Sequence, residues 1–462
     1  MQKSQTTFKD DYSQENRMES EDNGRVCSIS RGEGERKDGV YNLINKIVSH
    51  DNLNLAYKRV KANKGSAGID EMEVEELYGH LVQNKKSIIS QIKDGSYEPQ
   101  PVKRVEIDKE DGSKRKLGIP TATDRFVQQA IHQVIEKVVD PTFSDSSFGF
   151  RPKRSAHDAM RKAKEYYEKG YRTVVDIDMK QYFDTVNHDK LMYHVEEHIK
   201  DPIVLRLIRK FLRSGVSIDG KVYSTEVGCP QGGNLSPILS IIYLDQLDKE
   251  LEKRGHRFIR YADDCNIYVK SRKAGYRVME SITNFLENSL KLVVNRQKSE
   301  VGSPLKRKFL GFCLHVTKDG VGFRPHNKSK KKLEKKLRQL TKRNRYGNIR
   351  LIIKEINEVT TGWINYYGIS YMKNYIRSLN QWLRRRIRQI IWKRWKKVKT
   401  RYKSLMKLKI PKQKAWEWAN TRKGHWHIAC SFILHRAIKN EILERVGLKD
   451  LNQLLEKAHS NY

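Results

Sequence analysis

Two aspartates stand side by side in Phe258-Ile259-Arg260-Tyr261-Ala262-Asp263-Asp264-Cys265-Asn266-Ile267-Tyr268-Val269. The apolar and aromatic flanks have strand composition, and the Ala-Asp-Asp centre reads as the turn between them. As turn residues the acids need no special explanation; as a pair at a hairpin tip they can hold divalent cations. A second acidic pair lies upstream, in Thr173-Val174-Val175-Asp176-Ile177-Asp178. Period 2 puts Asp176 and Asp178 on one face of a strand. An acid in an apolar strand is costly unless it is paired or binds a metal. Carboxylates from this strand and from the hairpin tip can clamp two Mg2+ ions about 4 Å apart, stabilising the attacking and leaving oxygens of a phosphoryl transfer. Such chemistry asks for little beyond positioning and charge neutralisation.

The elements around these acids supply both. Val102 to Ile107 and Lys114 to Ile119 are strand-like runs on either side of Asp111-Gly112, a hairpin signal with basic alternate positions. As structure alone it is a solvated edge hairpin guarded by lysines; as function it is a basic finger over a triphosphate. Val227-Gly228-Cys229-Pro230-Gln231-Gly232-Gly233-Asn234-Leu235-Ser236-Pro237 is a Gly/Pro loop leading into a helix to about Glu252, with Ser236 as its cap and Pro237 in its first turn. Helices are predicted over 43–61, 74–92, 124–139, 156–167 and 275–290, the third on the buried face Phe126, Val127, Ala130, Ile131, Val134 and Ile135. Leu292 to Ser299 reads as strand then loop, and Phe309 to Phe312 as a short strand facing Val321 to Phe323.

A chain of 462 residues exceeds what one core usually organises. Its 92 Lys and Arg against 55 acids leave a net charge of +37, which opposes compaction unless a polyanion meets it. Nucleic acid is the obvious partner and an acidic membrane surface the rival. The charge is concentrated: Arg324 to Ile410 holds 28 Lys/Arg and three acids, which reads as a binding footprint. Within it, apolar stripes such as Leu333/Leu337/Leu340 and Ile376/Leu379/Leu383/Ile387 predict antiparallel helices with apolar inner and basic outer faces. The basic faces, at Arg384, Arg385, Arg386 and Arg388 and at Lys393, Arg394, Lys396 and Lys397, are where binding is expected. Five scattered cysteines without a C-x-x-C pair fit a reducing cytosol. No apolar run is long enough to span a bilayer, and residues 1–38 read as a disordered or leader segment.

Eight blocks, in order, give the chain a specific resemblance. They are Gly65 to Asp70, the basic hairpin through Leu117-Gly118-Ile119-Pro120, Ser147-Phe148-Gly149-Phe150-Arg151-Pro152, Val174 to Asp184, Pro230 to Pro237, Tyr261 to Asp264, Leu292 to Ser299 and Phe309 to Phe312. Over about 40–315 they resemble a bacterial group II intron-encoded reverse transcriptase/maturase, and the basic helical tail extends the likeness to about residue 455. The resemblance implies an α+β fold: right-hand polymerase fingers and palm with an antiparallel palm sheet (39–315), then an α-helical thumb or maturase domain (316–462). It implies RNA-directed DNA synthesis with two Mg2+ ions (Mn2+ as the alternative), dNTPs, an RNA template and DNA primer duplex, the parent intron RNA and a target DNA as partners, no membrane, and a cytoplasmic bacterial ribonucleoprotein.

Roles follow position by position. Asp178, Asp263 and Asp264 correspond to the metal-binding acids; Asp178 is favoured over Asp176 because the family carries an aromatic five residues after that acid, and Phe183 stands there as a steric gate against a 2′-OH. Lys103, Arg104 and Arg115 correspond to triphosphate contacts, Gln231 to a nucleotide-holding residue, Lys298 to the general acid toward pyrophosphate, and Arg151 to a nucleic-acid contact. The segment from 43 through Asp70 resembles the extension that grips template and intron RNA. With Cys430 alone beyond residue 313, the chain resembles the endonuclease-lacking members.

Overall fold

The computed structural model describes residues 42–460 apart from 109–111 and 113; the leader-like 1–38 and the Asp111 of the hairpin turn lie outside it. In chain order its strands are β1 (Val102–Asp108), β2 (Lys114–Ile119), β3 (Thr173–Ile177), β4 (Val216–Ile218), β5 (Lys221–Tyr223), β6 (Arg257–Tyr261), β7 (Asp264–Val269), β8 (Glu300–Gly302), β9 (Phe312–Thr317) and β10 (Gly320–Pro325). The chain divides into two compact units, one ending at Gly302 and one spanning Ser303–Tyr462.

The first unit is built around the Ala122–Val139 helix, whose residues are buried on nearly every side. Thr121 caps it by accepting from the Asp124 amide, while the Asp124 carboxylate accepts from Thr121 Oγ1, the Tyr97 hydroxyl and the Gln100 amide. This cluster fixes where the fingers hairpin enters the helix. The continuous helix predicted over 43–61 is two helices, Leu43–Ile47 and His50–Asn63. Ser49 breaks it: its backbone is extended and its hydroxyl donates to the Lys46 carbonyl at 2.9 Å. The break lets Leu43, Ile44 and Ile47 all point inward, where the Ile44 amide donates to Asp201.

Two sheets complete the unit. One runs β2-β1-β4-β5, with β1 antiparallel to β2 and its first residues parallel to β4. The other runs β6-β7-β3-β8, antiparallel throughout, as expected of a palm. Beneath it, Ile238, Leu239, Ile241, Ile242 and Leu247 of the Ser236–Lys253 helix join Val175, Ile177 and Ile267 in the core. Burying such side chains is worth about 1.5–3 kcal/mol each, which makes the sheet a rigid platform for residues at its edge.

In the second unit the β9–β10 hairpin precedes helices over Asn327–Leu340, Ile349–Tyr367 and Lys373–Arg394 and shorter helices to Ser460. Of the two expected stripes, Leu333 and Leu337 and all of Ile376, Leu379, Leu383 and Ile387 are buried, while Leu340 is half-buried; the helix between them buries Ile352, Ile353, Ile356 and Ile364. The expected strand over Phe309–Phe312 is instead a tight turn, with Leu310 and Gly311 at φ 50° and 85°, and the strand begins at Phe312. A Cβ on Gly311 would stand 2.2 Å from the Tyr367 hydroxyl. No helix among the described residues is long and apolar enough to cross a membrane.

Candidate active site

β6 and β7 pair from Arg257↔Tyr268 to Tyr261↔Asp264, leaving Ala262 and Asp263 as a two-residue turn. Ala262 takes φ 56°, a conformation that disfavours a side chain and must be held by its surroundings. Three things hold it. The Arg260 guanidinium, fully buried, donates from Nη1 to the Ala262 carbonyl at 3.0 Å, from Nε to Asp248 at 2.7 Å and from Nη2 to Ser147 Oγ at 2.8 Å. The Ser146 carbonyl and Phe148 amide pair with the Arg260 backbone at 2.9 Å each. Gly149 lies flat against the turn, where a Cβ would come within 2.2 Å of the Ala262 nitrogen. Asp248 is buried too, and its pairing with Arg260 is what permits an arginine inside a palm strand. Sequence reasoning missed this support, although an arginine within the apolar run Phe258–Tyr261 is the same kind of anomaly as the acids of β3.

Asp178 follows the last paired residue of β3, Ile177↔Cys265, and so sits at the same end of the sheet as the turn. Its backbone is fixed from the other side: its amide donates to Ser299 Oγ at 3.0 Å, and its carbonyl accepts from the Asn295 amide at 2.8 Å. The expected strand at Leu292–Val294 shrinks to one bridge, Met179↔Val294, followed by a turn in which Asn295 accepts from Lys298 and Ser299. Lys298 is exposed on that turn. Asp176 lies mid-strand opposite Asn266, whose amide, with its nitrogen turned inward, reaches it at 3.0 Å. The two acids thus differ in setting: Asp176 has a neutral donor in the sheet, and Asp178 stands just past the end of β3, beside the turn.

Burial raises the Asp263 carboxyl above the ordinary range, the nearby Asp178 carboxylate adds to the rise, and Arg115 and Arg260 oppose it. Like charges gathered at a sheet end are a donor set for a hard cation. Asp264 is exposed at the start of β7. Among the described residues no three His, Cys, Asp or Glu side chains converge into a closed metal cage. One or two carboxylates completed by substrate phosphates and water are the usual Mg2+ arrangement, and the donors fit that open kind of site.

The remaining candidates divide. Register places Lys103 and Arg115 on one face of the β1–β2 hairpin and Arg104 on the other, with Glu106, Lys114 and Lys116. Arg115 is the one within electrostatic reach of Asp263. The base of the hairpin is tied to the Gly/Pro loop, the Gly118 amide donating to the Gln231 carbonyl at 2.9 Å. The loop is tied in turn to Phe183, whose carbonyl accepts from the Cys229 amide, and His188, buried, contacts the Gly228 carbonyl through Nε2 at 2.6 Å. Gln128 Oε1 accepts from the Asn234 amide at 2.7 Å and Gln129 from its side chain at 2.9 Å. The Ser236 hydroxyl is not a helix cap as predicted; it donates to the Pro230 carbonyl at 2.6 Å. Asp178 and Arg115 thus stand within electrostatic reach of Asp263, and Gln231 and Phe183 are joined to the same hairpin and loop through their backbones. His188, Gln128 and Gln129 were not legible as supports of the loop, because each acts on a residue distant in sequence.

Several basic candidates are structural instead. Arg151 is buried, donating to Asp140 and to the Ser144 and Ser147 carbonyls. Arg384 donates to Glu444 and Asp450, Arg386 to Thr341 and the Arg338 carbonyl, and Arg388 to the Ile438 carbonyl and Asn440. Burial, and then the neighbouring Arg384 and Arg385, pull Arg388 down to about 10. The Lys373–Arg394 helix is enclosed by Leu451–Ser460 and His425–Cys430, so its central arginines line an interior. Arg385, Lys393 and Arg394 are half-buried, and Lys396 and Lys397 are exposed.

Residues 107–314 match the family described as reverse transcriptase (RNA-dependent DNA polymerase), and 330–409 the group II intron, maturase-specific domain. The group II intron-encoded protein LtrA of Lactococcus lactis subsp. cremoris is 31% identical over 360 residues, 63% of this chain and 60% of that one, so the chain spans well under two thirds of that relative. Protein YkfC of Escherichia coli K12 is 30% identical over 353 residues, 68% of this chain and 86% of that one. The mixed α and β unit with its antiparallel sheet, the helical second unit and these matches agree: the chain belongs to the group II intron-encoded reverse transcriptase/maturase family.

Proposed function

We propose that this protein is an RNA-directed DNA polymerase that copies intron RNA into cDNA and also binds that RNA as a maturase, assisting splicing and retromobility. The observation that carries the proposal is the meeting of Asp178 and Asp263 at one end of a rigid sheet, with Arg115 within electrostatic reach. In this reading 39–315 forms fingers and palm and 316–462 the thumb or maturase region. Two Mg2+ ions, or Mn2+, held by Asp178 and Asp263 with Asp264 beside them, would supply Lewis-acid stabilisation of the attacking and leaving oxygens.

The chain's own residues do the rest. Lys103 and Arg115, on a shared hairpin face, hold the triphosphate and neutralise its charge. Phe183, anchored through its carbonyl by the Cys229 amide, stands under the sugar and leaves no room for a 2′-OH. Gln231, whose carbonyl joins its loop to the finger, orients the nucleotide. Lys298, on the turn fastened to the Asp178 backbone, delivers a proton to the pyrophosphate oxygen as it leaves. The exposed Lys396 and Lys397 meet RNA phosphates, and the protein works in the cytoplasm as a ribonucleoprotein, with target DNA as a further partner.

The test is extension of a DNA primer on an RNA template. Wild type should incorporate dNTPs only with Mg2+ or Mn2+ present, and Asp263→Ala should lose roughly 10³-fold or more, since several kcal/mol of charge stabilisation disappear. Equal inactivity of both proteins with metal present would leave RNA binding as the sole function.

A further inference from the structure

At the end of the palm sheet opposite Asp263, a groove of about 470 Å³ opens between the start of β6, the end of β7 and the Arg272–Asn288 helix. Arg257 stands five residues before the turn at Ala262, so at about 3.3 Å per residue the groove is roughly 17 Å from the acids. Arg257, Lys270 and Arg277 line it and are exposed; His256, Tyr171 and Ser281 stand in its wall over an apolar floor that includes Val269 and Val278. No Asp or Glu lines it. Arg257 and Arg277 make no ion pair with any described residue, and Lys270 lies over the Tyr171 ring, 5.9 Å from its centre. Neighbouring Arg254 differs: it is tied to Glu250 and to the Ser281 hydroxyl. Three cations from three elements thus converge without a counter-charge beside a partly exposed aromatic ring.

We propose that this groove is an RNA-binding site, taking a phosphodiester segment on Arg257, Lys270 and Arg277 and an unpaired base against Tyr171. Exposed cations left uncompensated around a concavity favour a polyanion, and a base stacked on an aromatic ring beside backbone-neutralising cations is how single-stranded or looped RNA is held. Nucleoside phosphate is the chemistry recognised; RNA is the source favoured, because three separate cations match successive phosphates better than one free nucleotide. The site lies too far from Asp263 to hold the reacting nucleotide, so it anchors RNA without taking part in polymerisation.

The experiment compares Arg257→Glu/Lys270→Glu/Arg277→Glu with a charge-matched control, Lys86→Glu/Lys93→Glu/Lys200→Glu, in the full-length protein. Both should melt like wild type. Binding is measured to a group II intron transcript and to a short oligouridylate across a salt series, with ATP as competitor and an acidic peptide as a second ligand. The groove variant should lose about tenfold or more in RNA affinity at physiological salt and about 2 to 3 units of the log–log salt slope. The control should lose no more than about threefold, and Tyr171→Ala should weaken oligouridylate binding without changing the slope. Primer extension on a short template should stay within about twofold in every variant that extends at all. Equal losses in groove and control variants would overturn the proposal, as would displacement by ATP or tighter binding of the peptide than of RNA. If wild type fails to extend primers yet the groove variant alone loses RNA, the polymerase reading falls and the groove stands.

Discussion

The hairpin turn at Asp263 and the helix at Arg384–Arg388 are both dense in charge, and they treat it in opposite ways. At the turn, the charged groups that would react stand at the end of a sheet, and the buried polar groups (Arg260, Asp248 and Ser147) sit beneath them as scaffold. In the helix, the charged groups that looked available are themselves the scaffold, donating to Glu444, Asp450, Thr341 and main-chain carbonyls. Charge density along the chain therefore locates a functional region but does not say which cations face outward. Burial with hydrogen bonds to named side chains and main-chain carbonyls marks the structural ones.

The comparison breaks first at Arg260. Arg260→Met should leave Asp248 buried and unpaired, costing about 3–5 kcal/mol of stability, and should loosen the Ala262 turn so that primer extension falls even below the melting range. Arg384→Ala should cost about 1.5–3 kcal/mol, the loss of its charge-assisted hydrogen bonds, since Asn380, Asn452 and Gln453 still donate to Asp450 and Glu444 is half exposed. Lys396→Ala/Lys397→Ala should leave the melting temperature within error and instead weaken RNA binding and lower its salt slope by about 2. Denaturant unfolding set beside filter binding separates the two behaviours; a stable Arg384→Ala that merely bound RNA poorly would reverse the contrast.

Arg115 and Arg104 sharpen the same point on one hairpin. Arg115→Ala should raise the KM for dNTP about tenfold or more, the loss of one charge-assisted contact of about 1.5–3 kcal/mol, whereas Arg104→Ala, on the other face, should change it by less than about threefold. Steady-state kinetics at saturating template reads this directly.

A smaller effect separates two buried acids by sign. Burial raises Asp124 to about 6 despite its hydrogen bonds from Thr121, Tyr97 and Gln100. Its stabilising contribution is complete below the unfolded carboxylate pKa of about 3.9 and is lost as pH rises through about 6. At Asp450 burial pushes upward, but hydrogen bonds from Asn380, Asn452 and Gln453, with Arg384 beside them, hold the pKa below the ordinary value. Its contribution is present above about pH 4 and is lost as pH falls. Melting curves over pH 3–7 should show Asp124→Asn removing a decline with rising pH and Asp450→Asn removing a decline with falling pH.

Much of this was legible in sequence because it is local. Strand composition around Ala262-Asp263, period 2 at Asp176 and Asp178, and the apolar stripes of the Asn327–Leu340 and Lys373–Arg394 helices each follow from neighbours a few residues apart. The Arg384–Arg388 run was misread for the same reason. Local periodicity gave it an outer face, while its partners Ile438, Asn440, Glu444 and Asp450 lie 50 or more residues on. The roles of Gly149 and Gln128 were not legible because they are close approaches to backbone more than 100 residues away. The break at Ser49 and the turn at Leu310–Gly311 show tertiary packing overriding a plausible periodic pattern.

The most direct test of the account is the rate of dNTP incorporation on an RNA template by Asp178→Asn and by Asp176→Asn, measured with saturating Mg2+. Asp178→Asn should fall to background while Asp176→Asn, which keeps a hydrogen-bonding side chain opposite Asn266, retains at least about a tenth of wild-type activity. Full activity in Asp178→Asn would contradict the assignment of the reaction to this end of the palm sheet.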